Sequence, residues 1–161
     1  MTAPAPASDG PLVSCLCVTE SRPEFWPWLW WGFAKQDYHN RELVVVDSSP
    51  EPVAGGDPHL RVVSTTPGAS VAAKRNLALR QARGSVITWF DDDDWHHPRR
   101  LSLLVAALGS GAAVAGSRRS WFVHATKGTA RPYDAQGVIF NGLAVTAAAI
   151  GELRFDEHKR R

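Results

Sequence analysis

The chain has 161 residues, 44% of them apolar and 21% charged, a balance that suits one folded domain around a single core and excludes a disordered chain. Its 18 basic and 16 acidic side chains leave a formal charge of only +2, so no global field argues for a nucleic-acid partner. The longest apolar stretch, residues 25–33, is far short of the roughly 20 residues that cross a bilayer, so no transmembrane segment is expected.

Residues 1–11, MTAPAPASDGP, lack the basic-then-apolar order of a secretory signal, and their Ala, Pro and Ser content predicts a flexible leader. LVSCLCV, 12–18, is a short apolar run between turn-forming residues and predicts a buried strand. Cys15 and Cys17 then face the same way, as two small apolar groups in a reduced interior rather than a metal or redox pair, which suits a cytoplasmic domain. Pro23 opens a helix over 24–36 that carries Phe25, Trp26, Leu29, Trp30 and Phe33 at spacings of three and four. Pro27 is tolerated there only in the first turn. Core packing is the reading for these aromatics ahead of a membrane or sugar contact, although the Trp-rich segment leaves room for a homo-oligomer.

ELVVVD at 42–47 and LRVVST at 60–65 predict two more strands, with loop between them. Ser70 caps a helix over 71–83 that Gly84 stops. SVITWF, 85–90, is a further strand; Pro98 opens a helix that Gly109 closes, and AAVAGS, 112–117, is another strand. Near-continuous apolar strands alternating with helices predict an α/β fold, a mostly parallel sheet covered on both faces. Beyond Arg118, SWFVHA and GVIFN read as strands around a TKGTARPYD turn, and LAVTAAAI is apolar without a decisive period, which predicts a mixed or antiparallel edge. No internal repeat is present.

Ligands of a parallel sheet bind at the carboxyl ends of its strands. TESR (19–22), DSS (47–49) and DDDD (91–94) all fall at such ends and are expected to line one crevice. Four adjacent aspartates beside a packed strand repel one another and lose hydration, so they call for a cation. Mg2+ or Mn2+, which take oxygen ligands and keep several waters, meet that need with one or two carboxylates. His96 and His97 diverge as neighbours and do not make a zinc pair; one packs or contacts substrate while the other faces solvent. Consecutive acids with no glycine at the sixth place also fail the EF-hand pattern. Trp95 either walls the pocket or plugs the base of the next helix. Lys74 and Arg75, early in their helix, fit a solvated face and an anion contact equally well.

VSCLCVTESRPEFW, QDYHNRELVVVDSS and PGASVAAKRNLALRQARGSVITWFDDDDWHHPRRL together resemble the nucleotide-binding half of family 2 glycosyltransferases, inverting enzymes of GT-A fold, in order and with fitting spacings from about Leu12 to Leu108. The resemblance implies a Rossmann-like sheet that binds a nucleoside diphosphate sugar, a UDP-sugar foremost, through an Asp-x-Asp motif and a divalent metal. Carried over by position, Val18 and Glu20 lie where the base is contacted, with Thr19 and Arg22 in the same donor-binding stretch, and Asp47 falls on the base's ring nitrogen. Arg75 falls on a base or phosphate contact, and Lys74 beside it is counted among the nucleotide-sugar-binding residues. Asp91 is expected near the ribose and metal, Asp92 beside the diphosphate, Asp93 on the metal, and Asp94 toward the next helix. The implied division is a leader at 1–11, a nucleotide-sugar-binding region at 12–117 and a partial acceptor-side region at 118–161.

Two departures from the family pattern stand out. Glu20 replaces the aromatic that many relatives carry after the threonine of the first loop, and no Glu-Asp motif of the kind that supplies the catalytic base follows LRFDE. An inverting transfer needs such a base to take the acceptor proton. Asp156 is the candidate by region, although Asp156 and Glu157 also read as solvated surface. The expected function is therefore metal-dependent transfer of a sugar to an unknown acceptor. The alternatives are a degenerate transferase that only binds nucleotide sugar, or a nucleotidyltransferase, whose Gly-rich basic loop TESRPEF does not supply.

Overall fold

The structure, a computed structural model, describes residues 10–124, 126–137 and 139–157; most of the expected leader, 1–9, lies outside them. The principal sheet has six strands in the order β3-β2-β1-β4-β8-β5. They are β1 (Val13–Thr19), β2 (Arg41–Asp47), β3 (Leu60–Ser64), β4 (Val86–Trp89), β5 (Val114–Gly116) and β8 (Leu143–Thr146). The first four run parallel, with Cys15 opposite Leu43 on β2 and Thr88 on β4, and Val45 opposite Val62. β8 lies antiparallel between β4 and β5. The expected α/β fold, a mostly parallel Rossmann-like sheet with a mixed edge, is the one observed.

Strand alternation sends two apolar sets to opposite faces. Val13, Cys15, Cys17, Leu43 and Val45 meet Leu29 and Phe33 of α1 (Trp26–Ala34) and Leu101, Leu104 and Leu108 of α3 (Arg100–Leu108). Leu16, Val44, Val46, Ile87 and Trp89 meet Ala78 of α2 (Val71–Gln81), Phe140 and Phe155. Both cysteines are free and buried, as expected.

Several boundaries differ from the sequence expectation for physical reasons. The Trp-rich helix does not start at Glu24: a 3-10 turn over Pro23–Phe25 precedes α1, and the Trp26 N–H closes on the Pro23 carbonyl. Pro27 in the first turn has no N–H with which to continue an α ladder backward. Trp28 and Trp31 face outward, stacked at 5.6 Å. Ser70 does cap α2, its hydroxyl accepting from the Ala73 N–H at 3.1 Å. Gly84, however, is not the stop: α2 ends at Gln81, followed by extended Ala82. The glycine is needed instead for a close approach to β1, where a Cβ would sit 2.4 Å from the Leu12 carbonyl oxygen.

Pro98 precedes α3 rather than opening its first turn. The amide of Gln36 holds that end, Oε1 accepting from the Leu101 N–H and Nε2 donating to the carbonyls of Gly32 and His97. The greatest departure lies beyond Arg118. The stretch expected as a turn contains β7 (Thr129–Asp134), which pairs antiparallel with β6 (Arg119–His124) in a separate two-stranded ribbon. Every residue of β7 is exposed, so no in–out alternation marked it, and Pro132 is tolerated because each strand of a lone pair has a free edge. Phe140 and Asn141, expected at the end of a strand, lie in a 3-10 turn over Phe140–Gly142, and LAVTAAAI divides into β8 and a short α4 (Ala147–Ile150).

Candidate functional site

Running β1-β2-β3 outward and then placing β4 on the other side of β1 creates a switch point between β1 and β4, where a crevice opens at the carboxyl ends. A pocket of about 350 Å³ lies beside it, over the ends of β1 and β2, lined by Thr19, Ser21, Arg22, Asp47, Ser49 and Val53 among others. The Thr19 hydroxyl donates to Asp92 Oδ2 at 2.7 Å and so joins the two strand ends across the switch point. Arg22 forks onto both neighbours of the acidic run, Nη1 to Asp92 Oδ1 at 3.0 Å and Nη2 to Asp93 Oδ2 at 2.8 Å. Its guanidinium also lies 4.3 Å over the Phe25 ring. Ser21 holds the loop between them at a φ of 51°, a left-handed conformation for a residue with a side chain, and its N–H donates to the Ser49 hydroxyl.

The four aspartates have different surroundings. Burial, first, and the neighbouring acids push the Asp91 carboxyl up to about 6, against the pull of Arg75. Asp92 is 4% exposed, and burial raises its pKa although the Thr19 hydrogen bond and Arg22 act the other way. Asp93 is exposed. Asp94 is raised by burial, and its Oδ2 accepts from Asn141 Nδ2 at 2.9 Å; it engages the turn before β8, not the start of α3 as expected. Among the described residues, no cluster of three or more His, Cys, Asp or Glu side chains is gathered tightly enough to chelate a metal by itself.

Asp47, at the end of β2, is 1% exposed and folds the following loop about itself, Oδ1 accepting from the Ser49 N–H and Oδ2 from the Val53 N–H. Glu20 accepts from the Gly68 N–H at 2.7 Å and from Lys74 Nζ at 3.1 Å, and these bonds, in that order, lower its pKa. Lys74 is 5% exposed and also donates to the Thr19 carbonyl and the Ser48 hydroxyl. The solvated-face reading of Lys74 therefore fails: its ammonium is the post under the first loop. Arg75 lies over Trp89, Phe140 and Phe155 at 4.5–5.5 Å. Val18 packs into the α2-side core. Asp156 sits beside Phe155, whose ring meets Trp89 edge-on at 5.6 Å.

One residue of this region escaped the sequence reading. Half-buried Arg100 donates to the Thr88 hydroxyl, the carbonyls of Trp89 and Asn141, and His96 Nδ1. It thereby fixes the base of the acidic loop. His96 is the packed histidine of the pair, its ring 3.5 Å from that of Phe90 and its Nε2 on the Asp91 carbonyl. His97 and Trp95 face solvent, so Trp95 plugs nothing.

Residues 29–141 match the sequence model of the family described as Glycosyl transferase family 2. The chain belongs to that family. WcaA of Escherichia coli (strain K12), named as a colanic acid biosynthesis glycosyl transferase, is 30% identical over 106 residues, which are 61% of this family 2 chain and 38% of WcaA. The mannosyltransferase PcManGT from Pyrobaculum calidifontis, solved with GDP-Man and Mn2+, superposes over 94% of the chain and 49% of its own length, with a TM-score of 0.66 at 20% identity. S. aureus TarS 1-349 in complex with UDP-GlcNAc matches 63% of the chain and 32% of its own length, with a TM-score of 0.55 at 24% identity. The chain thus spans well under two thirds of each of these relatives. No helix among the described residues is long and apolar enough to cross a membrane.

Proposed function

We propose that the crevice between β1 and β4 binds a nucleoside diphosphate sugar together with Mg2+ or Mn2+, and that the protein transfers the sugar to an acceptor with inversion. The observation that carries this reading is the meeting of Thr19, Arg22 and the Asp91–Asp94 run at the switch point of a family 2 fold. Relatives of that fold hold UDP-GlcNAc, or GDP-Man and Mn2+, which supports the ligand class.

The donor set suits a hard cation. Asp91 and Asp93 would hold it: burial without a compensating cation keeps the Asp91 carboxyl near pKa 6, and Asp93 is exposed with one oxygen on Arg22. When bound, the ion supplies charge stabilisation for the departing diphosphate. Arg22, now on Asp92 and Asp93, and Arg75, at the β4 end, offer the donor's phosphates cationic partners. Asp47 and Glu20 shape the base end through the loops they hold. Proton removal from the acceptor hydroxyl is assigned to Asp156, next to Phe155, whose ring packs on Trp89 at the end of β4. UDP-sugars are the favoured donors, and the region from 118 onward is assigned to the acceptor side. Release of nucleoside diphosphate from a panel of UDP- and GDP-sugars, with Mn2+ and candidate acceptors, tests the reaction. Turnover that Asp93→Asn abolishes supports it; donor binding without turnover would leave a binding module.

A further inference from the structure

Lys74, Arg75 and Asn76 are consecutive on α2, and successive helical side chains point about 100° apart. They reach three separate parts of the molecule. Lys74 enters beneath the ends of β1 and β2. Arg75 lies among the rings of Trp89, Phe140 and Phe155. Asn76 turns to a segment 79 residues away: its Oδ1 accepts from the Phe155 N–H at 2.8 Å, while its Nδ2 donates to the Phe155 carbonyl at 2.9 Å and to Glu157 Oε1 at 2.7 Å.

A primary amide is the side chain that offers both this acceptor and two donors. Asn76 is 3% exposed, so its bonds replace hydration rather than compete with it. Gripping both the N–H and the carbonyl of one residue fixes that backbone much as a β-bridge does. The Phe155 ring is then set edge-on to Trp89 and to Phe140, at 5.6 and 6.0 Å. These rings form the walls around the Arg75 guanidinium, whose charge in turn reaches Asp91.

We propose that Asn76 is a positioning residue for the donor crevice. By clamping Phe155 it completes the aromatic cage that aims Arg75 toward the β4 end, and it ties the residues on both sides of Asp156 to α2. The consequence for donor affinity rests on the donor site proposed above; the clamp and cage do not.

Ring currents displace the Nε–Hε resonance of a caged arginine, so 15N NMR of the whole chain, with Arg75→Lys to assign the signal, reads the cage directly. Asn76→Ala is expected to move the Arg75 resonance toward that of exposed arginines, and Phe155→Leu, which keeps the backbone clamp, moves it too. Leu104→Ala, a buried change on the opposite face of the sheet, leaves it in place. In titrations with UDP and GDP plus Mn2+, Asn76→Ala weakens binding of whichever nucleotide the wild type takes by about five-fold or more, and Leu104→Ala does not. An unmoved Arg75 resonance in Asn76→Ala overturns the proposal, as does full nucleotide affinity in that variant. Should Asn76→Ala fail to fold, an unmoved resonance in Phe155→Leu overturns it. A resonance that moves in a protein that binds no nucleotide upholds the clamp and removes the donor reading instead.

Discussion

Packed against Phe90 and capped by the Arg100 guanidinium on Nδ1, the His96 imidazole has no favourable place for a second proton. Burial, then the Arg100 charge, lower its pKa to about 3. The unfolded chain protonates this group near its ordinary value of 6.5, so the unfolded state binds the extra proton first, and the stability His96 confers is lost as pH falls from about 6.5 toward 3. The raised carboxyls of Asp91, Asp92 and Asp94 act in the opposite sense, being more favourable to folding when protonated. The His96 contribution is therefore isolated as a difference: the stability of wild type over His96→Gln, from urea denaturation, should shrink by a few kcal/mol on going from pH 7 to pH 4. A difference independent of pH would show that His96 is not held neutral. Arg100→Met leaves the carbonyls of Trp89 and Asn141 without a donor and should cost about 3 kcal/mol, with Arg100→Lys restoring only part because a lysine cannot fork. Such roles leave no local trace. Arg100 and Gln36 serve carbonyls and amides distant in the chain, whereas the acidic run stands out by its density and its place after an apolar strand.

At the scale of elements, the strands were readable wherever burial on both faces made them continuously apolar, as in LVSCLCV and ELVVVD. Where burial is absent the pattern is absent too: β7 is wholly exposed, and β8 with α4 blends two short elements into one apolar run. Gly84 shows how a correct signal can carry the wrong cause. Its place after α2 suggested a helix stop, but the structure uses it to let the chain pass within van der Waals reach of Leu12 and Ser14. Gly84→Ala should therefore cost about 2 kcal/mol or more through displaced backbone. Gly137→Ala, where an added Cβ meets nothing within 4 Å, should leave the melting temperature nearly unchanged. Equal effects from the two would contradict the close-approach account.

For the molecule as a whole, a parallel sheet with its crevice at the carboxyl ends followed from alternation and apolar runs, while the strand order did not, because β8 enters between β4 and β5 from the far end of the chain. That insertion matters to the site: Asn141, just before β8, accepts from Arg100 and donates to Asp94, so the last third of the chain braces the acidic loop. Family membership is carried by residues 29–141, whereas Thr19 and Arg22 of the candidate site lie ahead of that span and Asn141, which braces Asp94, lies at its end. The central claim is that these loops form a metal-dependent nucleotide site. Calorimetric titration of the protein with UDP and GDP, with and without Mn2+, measures it most directly. We expect saturable binding of one nucleotide that needs Mn2+ and is lost by ten-fold or so in Asp93→Asn, about 1.4 kcal/mol. Absence of binding to either nucleotide in the presence of Mn2+, or binding that neither Mn2+ nor Asp93→Asn alters, would contradict it.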